Sequence, residues 1–167
     1  SQQICTSLSQ LSSYLDWKVI DQVIQLVHDS DNVAFFGTQF SHSVALHFQT
    51  DLLMLEKFTM AYMEQTNQLQ CAKELDENSV AIILTVSGHI FNGNQKMISY
   101  IKKSNAKVVI ITNDQDFDFG FEPDYVIGIG DPKYKRTGKH NLLTTMELMA
   151  LRYYSIYYPD VKDNIIE

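Results

Sequence analysis

The sequence predicts an α/β fold in three layers, with a five-stranded parallel sheet between two layers of helices. Short runs of consecutive apolar residues alternate along the chain with longer segments in which apolar residues recur every three to four positions. An uninterrupted apolar run is typical of a strand buried on both faces, and strands that alternate with helices form parallel, doubly wound sheets. The predicted strands are 33–36, 58–63, 80–84, 108–111 and 125–129.

The first element is helical. Residues 1–30 carry two apolar stripes with helical spacing, of which the first ends at Leu15 and the second begins at Val19. Asp16 and Asp21 lie near the join between the stripes. The segment is therefore either two helices or one bent helix.

The next elements alternate between strand and helix. The apolar run 33–36 ends at Gly37, and helical spacing returns over 41–57 with Ser41 as the expected N-cap. The run 58–63 predicts a second, weaker strand, and 80–84 is the clearest strand of the chain. Further helices are expected at 65–73, 94–104 and 141–158, the last of which ends before Pro159. An acidic loop follows the fourth strand at 113–124, and a basic loop follows the fifth at 131–140.

Composition narrows the class of protein. The chain has 167 residues, 45% hydrophobic and 20% charged, which suits one globular domain with a substantial core. Its net charge of -7 argues against a surface that attracts nucleic acid or anionic membrane. The longest apolar runs are too short to span a bilayer, and the first residues do not resemble a signal peptide. Cys5 and Cys71 have no zinc-ligand spacing, so we expect two reduced thiols in a cytoplasmic protein.

The loop after the first strand offers groups that suit an anion. In such sheets the ligand lies at the carboxyl ends of the strands, near the switch in strand order. Gly37 permits a tight turn, while Thr38, Ser41 and the first amides of the following helix offer hydrogen-bond donors. Taken alone, this pattern also fits a helix cap without any ligand.

The loop after the clearest strand offers a second set of donors. Thr85 and Ser87 are two hydroxyl residues separated by one position, and they are followed by Gly88 and a helix. The hydroxyls can donate to phosphate oxygens, and a glycine lets the backbone come close to them. His89 and Asn92 follow in the same segment. Two such loops on separate strands predict one shared phosphate site.

The two loops together resemble those of the sugar isomerase (SIS) domain, which binds phosphosugars. That family has a G-x-G-x-S pattern after its first strand, and 37–41 reads Gly-Thr-Gln-Phe-Ser. A later strand is followed by S-x-S-G-x-T, and 85–90 reads Thr-Val-Ser-Gly-His-Ile. A third strand ends in I-T-N, as 111–113 does here. The resemblance covers about 11–158 and implies a flavodoxin-like nucleotide-fold topology for a single SIS-like domain over 1–167. The opening helical stretch resembles the start of the effector domain of RpiR-type transcriptional regulators.

Two residues depart from the family pattern. Gln39 stands where the family often has glycine, so the first loop is either arranged differently or partly filled by an amide. Ile90 replaces a threonine that would donate to phosphate, and such a donor to an anion contributes roughly 1.5–3 kcal/mol. Two interpretations follow. Either the domain binds an unusual sugar phosphate, or its pocket has decayed and only the dimer scaffold remains.

The resemblance implies a sensing role and a set of ligand contacts. We expect a phosphosugar-binding effector domain of an RpiR-type regulator, not an enzyme. In those regulators a helix-turn-helix domain precedes the sugar-binding domain, so the resemblance implies that a sugar phosphate alters DNA binding by an N-terminal domain outside this chain. Ser41, Thr85 and Ser87 are the expected phosphate contacts, and Gly37 and Gly88 allow close approach. Further candidate contacts, ranked second, are Thr38, Gln39, His89 and Asn92. We expect no cofactor, no metal and no membrane partner.

Two other functions remain open at this stage. A phosphosugar isomerase of this fold moves protons with a glutamate and a histidine, for which Glu147 and His140 are candidates by location only. Glu147 is better explained as an ion-pair partner of Arg152 or as a solvated side chain. A nucleotide-binding domain ranks lowest because the first loop lacks the second glycine of G-x-G-x-x-G.

Two surface features bear on partners. Tyrosines cluster near the end of the chain, and together with the apolar first helix they favour a homodimer, although packing within one subunit explains them equally well. The tyrosines are Tyr153, Tyr154, Tyr157 and Tyr158. A basic patch in the loop 131–140 could attract a sugar phosphate or the acidic surface of a partner. Its residues are Lys133, Lys135, Arg136 and Lys139.

Overall fold

A computed structural model describes residues 2–160 of the chain. The helices are α1 (Gln2–Tyr14), α2 (Trp17–Asp29), α3 (Phe40–Met54), α4 (Gln65–Glu74), α5 (His89–Gly93), α6 (Gln95–Lys103) and α7 (Gly138–Tyr157). The strands are β1 (Asn32–Phe36), β2 (Met60–Ala61), β3 (Ser79–Thr85), β4 (Lys107–Thr112) and β5 (Tyr125–Gly128). A short 3-10 turn, Lys135–Thr137, leads directly into α7.

The sheet has the predicted five strands, and every strand pair is parallel. The strand order is β2-β1-β3-β4-β5, so the chain reverses its direction of winding between β1 and β3. In this arrangement the loops after β1 and β3 diverge and leave a crevice between them. The three-layer parallel α/β prediction is confirmed, and the topology places both donor-bearing loops at the same edge of the sheet.

Each face of the sheet supports its own hydrophobic core. Val80, Ile82 and Leu84 of β3 belong to the core beneath α1, α2, α3 and α7. Ala81 and Ile83 of the same strand belong to the core beneath α4, α5 and α6. Because successive side chains of a strand point to opposite faces, a continuous apolar run serves both cores at once.

Two helices form the opening segment. Asp16 is the N-cap of α2, and its carboxylate accepts hydrogen bonds from the backbone N–H groups of Lys18 (3.1 Å) and Val19 (3.2 Å). Leu15 remains buried beside this junction. An aspartate that satisfies free N–H groups begins a new helix, so the two-helix alternative is correct.

The weakest predicted element is much shorter than expected. Strand β2 consists of Met60–Ala61 instead of 58–63. Phe58 is 74% exposed and Met63 is 72% exposed, so the two ends of the apolar run lie outside the core. Edge strands pair on one side only, and a short one leaves few unpaired groups for aggregation.

The acidic loop also contributes to the second core. Phe117, Phe119 and Phe121 alternate with its other residues and pack against that core. The rings of Phe91 and Phe119 are 5.0 Å apart between centroids. The acidic composition of this loop does not identify its three alternating phenylalanines, an aromatic stripe, as core residues.

The tyrosines near the end of α7 are used within the chain. Tyr153 is buried, and its hydroxyl lies 2.7 Å from Nδ1 of His28. Tyr157 stacks on the same imidazole, and the Tyr158 hydroxyl donates to the Leu55 carbonyl at 2.6 Å. These contacts agree with packing of the tyrosine cluster within one subunit, while the homodimer stays a prediction. No helix between residues 2 and 160 is long and apolar enough to cross a membrane.

Candidate functional site

A cleft of about 310 Å³ opens where the loops after β1 and β3 diverge. It is lined by Thr38, Gln39, Phe40, Ser41, Thr85, Val86, Ser87, His89, Arg136 and Lys139. The volume lies at the lower end of the range for small-molecule sites, roughly 300–1,000 Å³. The fold thus brings the predicted hydroxyl residues of both loops to one concave surface.

The first wall of the cleft is a tight turn that starts α3. The Ser41 N–H donates to the Thr38 carbonyl at 3.2 Å, and Gln39 between them has φ 52° and ψ -122°. These dihedrals are those of the first central position of a type II′ turn, which favours glycine. Gln39 therefore keeps a glycine-like backbone and adds an amide side chain to the cleft.

The prediction that Ser41 caps α3 is wrong. Helix α3 begins at Phe40, and the N-cap position belongs to Gln39, whose side chain makes no capping hydrogen bond. The left-handed backbone of Gln39 starts the helix before Ser41. Ser41 instead lies in the first helical turn, where it is 7% exposed and lines the cleft. The helix dipole favours negative charge at this turn, while the Ser41 N–H itself is used by the Thr38 carbonyl.

Gly37 shapes the first wall without lining the cleft. Its N–H and carbonyl bond the side-chain amide of Gln68 at 3.3 Å and 2.9 Å. A Cβ on Gly37 would lie 3.1 Å from the backbone nitrogen of His42 in the first turn of α3. Its missing side chain lets the start of this helix approach the end of β1.

The second wall is the turn after β3. The Thr85 hydroxyl oxygen accepts a hydrogen bond from the Gly88 N–H at 2.9 Å, which leaves its own hydrogen available to an acceptor in the cleft. Gly88 has φ 82° and precedes α5, a short helix that lies outside the predicted helical range 94–104. Ser87 and His89 on either side of it are exposed into the cleft.

Two cations complete the cleft. Arg136 comes from the 3-10 turn before α7, and Lys139 comes from the first turn of α7. The Lys139 ammonium lies 5.4 Å from the centre of the Phe40 ring, across from the start of α3. Across residues 2–160, no carboxylate lines the cleft and no ion pair involves Arg136. Their charges therefore face the cleft without an acidic neighbour in its lining.

The sequence indicated these cations only as a basic patch. Arg136 and Lys139 belong to the predicted basic loop, but only the fold brings that loop to the crevice. Lys133 turns away, because its ammonium pairs with Asp131 at 3.1 Å and lies over the Tyr134 ring. The side chain of Lys135 lies outside what the structure describes.

Several other predicted residues lie away from the cleft. Asn92 is exposed on α5 and His140 is exposed on α7, and neither lines the cleft. Of the two alternatives for Glu147, the ion pair with Arg152 is wrong, because Arg152 forms a bidentate ion pair with Asp21 at 2.8 Å. The solvated alternative fits, since the Glu147 side chain is 51% exposed and lies 3.4 Å from His47. Among the described residues, no group of histidine, cysteine or acidic side chains is arranged to hold a metal ion.

Chemically, the lining of the cleft has the composition of an anion site. Hydroxyl donors from two loops, a helix start and two positive charges converge on a volume that suits a small phosphorylated molecule. The apolar contribution comes from Phe40 and Val86. One face of a bound molecule can therefore be apolar.

Sequence comparisons return no relative: no protein-family model matches the chain, and no curated protein does. Solved structures do match. The NanR protein of Vibrio vulnificus, complexed with ManNAc-6P, superposes with a TM-score of 0.79 at 16% identity, over 98% of this chain. This chain spans 63% of the length of that NanR chain.

Two further matching structures carry different functional descriptions. The sugar isomerase domain of an RpiR transcription factor from Sphaerobacter thermophilus matches with a TM-score of 0.64 at 15% identity, covering 93% of each chain. A protein from Methanococcus jannaschii matches with a TM-score of 0.69 at 15% identity, over 99% of this chain and 91% of that one. From its structure, that protein was inferred to function as a 3-hexulose-6-phosphate isomerase. The fold is therefore that of the sugar isomerase domain, and the predicted resemblance is confirmed at that level.

Proposed function

We propose that this chain is a phosphosugar-binding domain and serves as the ligand-sensing effector half of an RpiR-type transcriptional regulator. The observation that carries the proposal is the cleft in which Ser41, Ser87 and two cations converge. The NanR structure of the same fold is described as a complex with ManNAc-6P, which supports a sugar phosphate as the ligand class.

In the proposed complex the phosphate group lies between the two turns. Ser41, Thr85 and Ser87 donate hydroxyl hydrogen bonds to it, and Arg136 and Lys139 balance its charge. Further contacts to the remainder of the ligand come from Thr38, Gln39 and His89. Gly37 and Gly88 act by shaping the turns, and Asn92 is not among the proposed contacts because it does not line the cleft.

Sensing is favoured over isomerisation by the position of the acid-base candidates. Glu147 is engaged with His47, and neither Glu147 nor His140 contributes to the cleft lining. Isomerisation needs groups that remove and return a proton at the sugar carbons. His89 lines the cleft, and it keeps a phosphosugar isomerase as the second candidate function.

The regulatory step of the proposal involves parts outside this chain. A sugar phosphate favours one arrangement of a homodimer, and the change repositions an attached DNA-binding domain in the cytoplasm. The NanR chain is longer than this one, which is consistent with an additional domain in a protein of this design. The ligand acts only through its different affinity for the two arrangements.

Ligand binding is tested by thermal unfolding with ManNAc-6P, a pentose phosphate and inorganic phosphate. A ligand at one hundred times its dissociation constant adds about 2.7 kcal/mol to the free energy of unfolding. We expect Ser87→Ala to remove most of this gain. Ser43→Ala is the matched control, because Ser43 is exposed on α3 outside the cleft lining. Equal stabilisation of both variants, or none of the unaltered protein, contradicts the proposal.

A turnover assay separates the two candidate functions. Incubation with aldose and ketose phosphates is followed by chromatography of the sugar phosphates. The sensor proposal predicts that each ligand is recovered unchanged. Interconversion that is lost in His89→Gln would instead establish an isomerase.

A further inference from the structure

Helix α1 is joined to the wall of the cleft by a buried serine. Ser7 is 5% exposed, and its hydroxyl oxygen lies 2.8 Å from Nδ2 of Asn141 and 3.0 Å from the hydroxyl oxygen of Thr137. Thr137 and Asn141 are themselves almost completely buried. The contact joins two segments that are 130 to 134 residues apart in the sequence.

The hydrogens of this group have one consistent arrangement. The Thr137 hydroxyl also lies 2.8 Å from the Tyr134 carbonyl, which can only accept, so it donates there. Ser7 then donates to the Thr137 oxygen and accepts from the Asn141 amide. Both roles of the Ser7 hydroxyl are used, and its loss would leave a buried donor and a buried acceptor without these partners.

The residues held by Ser7 alternate with the cations of the cleft. Arg136 immediately precedes Thr137, and Lys139 lies between Thr137 and Asn141. One side of this turn faces the cleft, and the other side faces α1. Arg136 also lines a groove of about 290 Å³ that Gln3 of α1 borders. The docking of α1 and the placement of both cations thus share one short segment.

We propose that Ser7 is a positioning residue for the cleft: by anchoring residues 136–141 it sets the placement of Arg136 and Lys139, and it couples anion binding to the docking of α1. The coupling part rests on the proposed function, because it needs an anion in the cleft. Linkage makes the effect reciprocal, so a bound anion holds α1 more firmly. In the proposed regulator the DNA-binding domain would precede α1, as the resemblance to RpiR-type regulators implies.

Hydrogen exchange of the ligand-free protein tests the positioning part. We expect Ser7→Ala to accelerate amide exchange across 136–141 while exchange in β3 and β4 stays unchanged. Ser9→Ala is the matched control on the same helix, because Ser9 is exposed and its hydroxyl bonds the Thr6 carbonyl within α1. Unchanged exchange in 136–141, or equal acceleration by both substitutions, overturns the proposal.

Calorimetry with ManNAc-6P and inorganic phosphate tests the coupling part. We expect Ser7→Ala to weaken binding about fivefold or more, and the same substitution in an Arg136→Ala background to have a much smaller effect. A bound ligand should also slow exchange in α1. Equal weakening in both backgrounds overturns the coupling. Failure of the unaltered protein to bind either probe refutes the proposed function instead, while the ligand-free exchange still decides whether Ser7 positions the turn.

Discussion

The ring of Phe117 occupies the space beside Gly88 that a side chain at position 88 would need. A Cβ at position 88 would come within 2.7 Å of that ring, closer than real Cβ atoms approach their neighbours. Gly88 also has φ 82°, a left-handed backbone conformation that is unfavourable for residues with a Cβ atom. The acidic loop thus packs its aromatic stripe against the turn that carries Ser87 and Thr85. The second wall of the cleft depends on this contact for its shape.

Gly88→Ala is therefore expected to lower the free energy of unfolding by about 2–4 kcal/mol, from backbone strain and overpacking together. Gly120→Ala is the control, because Gly120 has a similar φ of 77° but open space around it. Strain alone predicts a loss of about 1 kcal/mol there. Urea denaturation measures both, and equal losses would show that the Phe117 contact has no energetic role.

Gln39→Gly is expected to stabilise the protein by about 1 kcal/mol. Gln39 occupies a glycine-type position of a type II′ turn, so glycine removes backbone strain of about 1–3 kcal/mol. Part of this gain is offset because glycine loses more conformational entropy on folding. Asn105→Gly at φ 60° is the comparison, and its gain should be smaller because asparagine tolerates left-handed backbone. Thermal unfolding measures the stability of both variants. A lower stability for Gln39→Gly than for the unaltered protein would contradict the inference that Gln39 is strained.

Arg136→Ala and Lys139→Ala are each expected to weaken sugar phosphate binding about tenfold and to reduce its sensitivity to salt. Lys133→Ala removes the same charge from the same loop, but its ammonium is paired with Asp131 outside the cleft. It should leave the affinity nearly unchanged. Calorimetry at two salt concentrations distinguishes the cases. If all three substitutions act alike, net charge rather than the geometry of the cleft controls binding.

Stability should fall as the pH rises from 9 to about 11 because of Cys71. Burial, followed by the nearby Glu74, raises the pKa of its thiol from 9.0 to about 11. The thiol therefore loses its proton at a lower pH in the unfolded state than in the folded state. The contribution of Cys71 to the free energy of unfolding is intact below the unfolded pKa of 9.0, and it is lost as the pH rises towards the folded pKa. The loss amounts to about 2 kcal/mol.

Denaturation at neutral pH and at a pH near the folded pKa of Cys71 measures this alkaline loss. Cys71→Ala should show a smaller decrease than the unaltered protein, whatever its stability at neutral pH. Cys5→Ala is the control, since Cys5 is exposed. An alkaline decrease that is identical in all three proteins would mean that the Cys71 thiol does not contribute.

The strands could be predicted because their signal is local. A run such as 80–84 is apolar at every position, and burial on both faces of a sheet accommodates it. The weaker strand predicted at 58–63 is present but shorter, because an edge position leaves Phe58, Tyr62 and Met63 exposed. The bounds of α5 were also missed, because five residues are too few to show helical periodicity.

The hydroxyl walls of the cleft were predictable for a similar reason. Ser41, Thr85 and Ser87 follow strands whose carboxyl ends must share one edge of a parallel sheet, so their proximity follows from the order of elements. The start of α3 was misplaced because Gln39 adopts a backbone that its residue type does not predict. The backbone φ of 52° at Gln39 cannot be predicted from the types of the neighbouring residues.

The sequence by itself determined the alternation of buried strands and helices, and with it the fold and the edge where a ligand would bind. Tertiary structure alone decided which charges reach that edge: it turned Arg136 and Lys139 into the cleft, Lys133 towards Asp131, and Glu147 towards His47. Hydrophobic periodicity records burial within one element, whereas the meeting of two distant side chains depends on how whole elements pack. The contact of Ser7 with Thr137 and Asn141 belongs to this second kind.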